Sequence, residues 1–135
     1  MPATPVTIQD TINKLTAMSI PGVKSIRKAA PASVSSAMLP LGYVRNCAIA
    51  MDQRSLTFAG GMRVVSCELV ILVEASRQGT VDDLYELTRQ VADNVAAAID
   101  ANAAVLRLDD YSVREDFEGV EASSYFVVLA TIRCA

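Results

Sequence analysis

The sequence contains no histidine, and this absence removes the commonest general base and the commonest zinc ligand together. Any catalysis would fall to carboxylates, cysteine or lysine. Cysteine is also scarce. Cys47, Cys67 and Cys134 are odd in number, widely spaced and set among apolar residues, the pattern of reduced core thiols rather than of disulfides or a metal site. Apolar runs such as Leu69–Val73 fall far short of the roughly 20 residues needed to cross a bilayer, so no membrane association is expected. The opening MPATPVTIQD has neither the basic start nor the apolar core of a secretory signal, which makes the cytoplasm the expected place of folding. Basic excess is missing too: a formal charge of -3 and a pI near 4.8 argue against a protein that grips nucleic-acid phosphates. Lys24, Arg27 and Lys28 form one small basic cluster, read as a solvent-facing edge.

What is present is the makings of one domain over residues 1–135, with 52% hydrophobic residues to build a core. Ile8, Ile12 and Leu15 recur at helical spacing behind Thr7, a natural N-cap with Asp10 in the first turn, predicting a helix over 7–18 that Pro21-Gly22 ends. VKSIRKA is a short extended candidate, and the Pro/Ala/Ser-rich segment Ala29–Pro40 reads as a connector inside the domain.

Strand signals follow. In RSLTFAGGMRVVSCELVILVEA, residues 54–75, the Gly60-Gly61 pair fits a two-residue turn with positive φ at both positions. That register pairs Leu56 with Val65 and Phe58 with Arg63, and it puts Val65, Cys67, Leu69, Ile71, Val73 and Ala75 on one face. Thr57, Val64, Ser66, Glu68 and Glu74 form a wetter face, on which Val70 and Leu72 still need cover; a neighbouring subunit is one source of it. GTVDDLYELTRQVADNVAAAIDAN predicts a helix over about 80–101, capped by Thr80, with Leu84, Leu87, Val91, Val95 and Ile99 as its apolar stripe. VLRL, YSVREDFEG and SSYFVVLATIRCA read as strands. In the last, Phe126, Val128, Ala130, Ile132 and Cys134 alternate with Tyr125, Val127, Leu129 and Thr131, both sets largely apolar, as in an internal strand or one at a subunit boundary. The fold class expected is α+β: a mostly antiparallel sheet with a long hairpin and helices packed on one face.

No catalytic constellation stands out. The acidic stretch DDYSVREDFEGVE offers Asp109, Asp110, Glu115, Asp116, Glu118 and Glu121, but it does not match the alternating oxygen ligands of an EF-hand and reads as a solvated loop and strand edge. A G-x-S-x-G elbow, a phosphate loop and a dinucleotide fingerprint are all missing. The expectation is a non-enzyme with no cofactor and no bound metal.

Taken in order, the helix ending near Pro21-Gly22, the segment SSAMLP, the long apolar hairpin, the capped helix TVDDLYELTRQVADNVAAAI and the closing GVEASSYFVVL resemble the tail terminator (tail completion) proteins of long-tailed bacteriophages. The resemblance is one of pattern and spans nearly the whole chain. It implies a structural virion protein, assembled in the host cytoplasm, that forms a homohexameric ring, caps the tail tube to end its polymerisation, and supplies the head-tail joining surface. Its partners would be the tail-tube protein and a head-tail connector protein, with DNA passing through the ring without specific binding. On this basis Gly60, Gly61, Met62 and Arg63 would form a contact tip, Val70 and Leu72 an interface, and Asp109, Asp110, Glu115 and Asp116 a non-adhesive lumen wall. The alternatives are another phage neck or tail-tube component, or a small cytoplasmic enzyme or ligand-binding domain using the acidic segment.

Overall fold

The computed structural model describes residues 7–52, 62–75, 81–120 and 123–134. Strands β1 (Ser25–Arg27), β2 (Leu41–Asp52), β3 (Met62–Ala75), β4 (Leu108–Val120) and β5 (Ser123–Cys134) are joined with helices α1 (Ile8–Ala17), α2 (Val81–Ala101) and the short α3 (Ala103–Leu106). They form a single sheet in the order β1-β2-β3-β5-β4. β1 runs parallel to β2 and the other pairings are antiparallel, so the α+β class is the one the chain adopts. α1 lies over β1 and β2, and α2 over β5 and β4. Among the described residues no helix is long and apolar enough to cross a membrane.

Local chemistry accounts for the helices. Thr7 caps α1 as expected, its hydroxyl oxygen accepting from the Asp10 amide at 3.0 Å, and the Lys14–Asp10 pair at 3.1 Å braces the exposed side at i,i+4 spacing. Gly22 turns the chain at φ 85, and the side-chain amide of Asn94 in α2 donates to the Pro21 carbonyl at 3.1 Å. In α2 the buried stripe is Leu84, Thr88, Val91, Val95, Ala98 and Ile99. Leu87, expected in it, is 38% exposed, while Thr88 is fully buried. A threonine enters the core there because its hydroxyl donates to the Leu84 carbonyl, one turn back, at 2.6 Å, which satisfies the polar group. The Thr80 cap lies outside the described residues.

The two faces of the sheet carry two cores. Val65, Cys67, Leu69, Ile71 and Val73 of β3, with Val128, Ala130, Ile132 and Cys134 of β5, pack under the helices, as period-two alternation predicts. On the opposite face Leu41 and Tyr43, Val70 and Leu72, and Tyr125, Val127 and Leu129 form the second core, against which Val34 and Met38 pack. The cover comes from the Ala29–Pro40 segment. Parallel neighbours cannot be joined by a tight turn and need a crossover of a dozen or so residues, and this segment is that crossover between β1 and β2. It brings Val34, Met38 and Leu39 onto the face opposite the helices. Val70 and Leu72 are thus buried within one chain and present no surface to a neighbour. Val64, expected on the wetter face, is also buried.

Two further expectations are corrected. Val65 pairs with Ile49 and Arg63 with Met51, not with Leu56 and Phe58. β3 takes as its partner the 12-residue run LGYVRNCAIAMD, which offers twice the ladder that RSLTFA would. Gly60 and Gly61 lie outside the described residues, so the tip expected there has no described conformation. Of VLRL only Leu108 is extended, as the first residue of β4: Ala103–Leu106 is a helical turn, closed by Arg107 in the left-handed region, and it carries Leu106 into the helix-side core.

Gly42 marks a close approach in the sheet. A Cβ there would sit 2.8 Å from Ile71 Cδ1 and 3.2 Å from Ile26 Cγ1, between β1 and the helix-side core. Gly42→Ala is expected to cost about 1 to 3 kcal/mol by overpacking. Urea unfolding measures it, and a midpoint equal to that of the parent would show that Ile26 and Ile71 make room without loss.

Candidate functional site

An open sheet has two edges, each with a row of backbone groups that no neighbouring strand satisfies. Here those edges are β1 and β4, and their charges are opposite. Lys24, Arg27 and Lys28 flank and occupy β1, all exposed; the Lys24 ammonium donates to the Ala37 carbonyl at 2.8 Å. β4 carries Asp109, Asp110, Glu115, Asp116 and Glu118 against a single basic residue, Arg114. The basic cluster, read as a solvated edge, is therefore one border of the sheet, and the acidic segment is the other.

Pairing with β5 fixes where the β4 side chains go. Tyr111 and Val113 pack against the helix-side core, and Glu115 and Phe117 follow on that face. Glu115 accepts from Arg89 of α2 at 3.1 and 3.2 Å in a two-pronged contact. Phe117 meets Phe126 edge to face at 5.2 Å, and Phe126 meets Tyr85 of α2 at 4.9 Å, while the Arg89 guanidinium lies over the Tyr85 ring at 5.7 Å. Tyr111 donates its phenolic hydrogen to Asp100 at 2.6 Å, a bond that holds the phenol pKa above its usual value. α2 is thereby fastened to the edge strand at both ends of their contact. Tyr85 and Phe117 nonetheless stay partly exposed, Phe117 by half, leaving an apolar corner beside the acidic border.

The alternate residues Asp110, Ser112, Arg114 and Asp116 stand on the other face and are exposed. The four carboxylates expected to line one wall are thus divided between two faces. Three have basic partners in the same chain: Asp109 with Arg133 at 3.3 Å, Glu115 with Arg89 at 3.1 Å, and Asp116 with Arg114 at 3.8 Å. Among the described residues no three of the Cys, Asp and Glu side chains stand together as a set able to hold a metal ion. Of the expected tip, Met62 opens β3 opposite Asp52, and Arg63 is exposed opposite Met51.

The third feature is a break in the β2–β3 ladder between Arg45 and Ala48. Asn46 takes the left-handed conformation at φ 52, which asparagine adopts more readily than most residues, and two residues of β2 bulge out there. Glu68 fills the gap, accepting from the Asn46 amide at 2.8 Å and facing Arg45 at 3.5 Å. The bulge also turns Cys47 toward Cys67. All three cysteines are free, but the Cys67 thiol donates to Cys47 Sγ at 3.0 Å. Burial, and that hydrogen bond with Cys47, push the Cys67 pKa up; burial does the same at Cys134. Spacing in the sequence gave no sign of this pair.

Compared with protein-family models and with curated proteins, the chain matches none.

Proposed function

We propose that the protein is a structural subunit that closes head to tail into a ring and caps a phage tail tube, ending its polymerisation and presenting the surface that joins tail to head. The observation that carries this reading is the opposition of the two sheet edges. A basic β1 border and an acidic β4 border on one sheet suit a contact in which one patch meets a different patch on the next copy, and such contacts close into rings when the rotation allows. The half-exposed aromatic corner at Tyr85 and Phe117 supplies the apolar part that a stable interface needs at its centre. A ring of six, with the tail-tube protein on one side and a head-tail connector on the other, follows from the likeness of element order to tail terminators. In this arrangement the ring passes DNA without gripping it, in keeping with the net charge of -3 and the absence of a broad basic surface among the described residues.

Native mass spectrometry of the purified chain, alone and with a tail-tube protein, tests the proposal. A single closed oligomer, six subunits in the expected case, is predicted in at least the second condition. A monomer at every concentration in both conditions overturns it.

A further inference from the structure

We propose that Cys47 and Cys67 form a disulfide site in the β2–β3 ladder, closed by a hydroperoxide and reopened by a dithiol, a property independent of any ring. Two observations carry it. The sulfurs lie 3.0 Å apart with one thiol already directed at the other, so cross-linking calls for a short closing movement rather than for rearrangement of strands. Cys47 sits in the one irregularity of that ladder and Cys67 opposite it, where the bulge leaves residues of β2 out of the regular pairing.

Exposure sets the order of events. Cys47 is half-buried and Cys67 buried, so the oxidant meets Cys47. Its thiolate attacks one peroxide oxygen, the O–O bond breaks, and Cys47 sulfenic acid forms with release of water after proton uptake. The Cys67 sulfur then attacks the sulfenic sulfur and loses its proton. The S–O bond breaks, a second water leaves, and the S–S bond remains. Overall two thiols are oxidised, one hydrogen peroxide is reduced, and two waters form. A dithiol reverses the linkage by exchange, leaving its own cyclic disulfide. Cys134, also buried, has no thiol partner at comparable distance among the described contacts and stays reduced.

The test treats the full-length chain with hydrogen peroxide, then with dithiothreitol, and reads thiol titre, tryptic peptides and melting temperature. Titre is expected to fall from the three free thiols to one, with peptides 46–54 and 64–77 joined in non-reducing digests and parted by dithiothreitol. Closing a loop between residues 47 and 67 constrains the unfolded chain, so the melting temperature is expected to rise by about 10 °C. Cys134→Ala should retain the rise and Cys47→Ser should lose it. The peptide map on the parent protein decides the matter even if a variant folds poorly. A titre that stays at three, oxidation of Cys47 without cross-linking, or linkage between different chains would each overturn the inference.

Discussion

Leu72→Asp is expected to unfold the chain, not merely to separate its subunits. Leu72 is fully buried in the core on the face opposite the helices, with Leu41 opposite it in β2 and Val127 in β5 and the crossover residues Val34, Met38 and Leu39 in the same cluster. Replacing it removes burial worth about 1.5 to 3 kcal/mol and places a carboxylate where water is excluded, at a further cost of several kcal/mol unless it is protonated. Against a total stability of about 5 to 15 kcal/mol for a domain, that sum takes most of the margin. A fall of 15 °C or more in melting temperature, on the order of 3 °C per kcal/mol at this size, or recovery only as insoluble protein, is the expected result. Thr131→Lys, on the same side of β5 but exposed and opposite Glu68, should fold normally. A Leu72→Asp chain that stays folded and only loses assembly would mean that a neighbouring copy, rather than the crossover, covers this face.

Reversing the basic border should abolish assembly while leaving the fold intact. Arg27 and Lys28 are exposed, and Arg27→Glu with Lys28→Glu would set like charges against the β4 border of the next copy. Exposed ion pairs are worth only about 0.2 to 1 kcal/mol each, so exchanging two attractions for two repulsions weakens each interface by about tenfold or more, and a closed ring compounds the loss at every joint. Asp110→Lys with Asp116→Lys in the same chain should restore assembly, since complementarity returns with its sign inverted. Added salt should weaken the parent ring and partly rescue the first variant. Sedimentation at low and high salt reads all of these outcomes. A doubly reversed chain that assembles no better than the singly reversed one would remove the two edges from the contact.

How far the fold was legible depended on whether an element answers to its own periodicity. β3 and β5 alternate apolar residues along most of their length, and α1 and α2 repeat theirs at helical spacing, so most of their core residues were readable. β2 was not resolved as a strand because the bulge at Asn46 and Cys47 shifts its alternation midway, and Gly42 leaves one core position without a side chain. Thr88 was passed over for Leu87 because a hydroxyl that bonds back to its own helix is invisible to a hydropathy pattern. The candidate surface was legible only as composition. That VKSIRKA and DDYSVREDFEG are the two borders of one sheet follows from β5 inserting between β3 and β4, and the meeting of Cys47 with Cys67 follows from strand register; both are long-range facts. Of the expected interface residues, Val70 and Leu72 prove to be core, since the crossover that covers them looked like a plain connector.

The place of β5 also bears on how the chain reaches this state. It is made after every other element of the sheet, yet it lies inside, bonded to β3 on one side and β4 on the other, with Val65 paired to Cys134 across half of the sequence. Until β5 arrives, β3 presents an open, strongly apolar flank to the ribosome's surroundings. Such distant pairing is slow to form and leaves apolar surface uncovered in the meantime, so the insertion of β5 between β3 and β4 is expected to set the pace at which the sheet is completed.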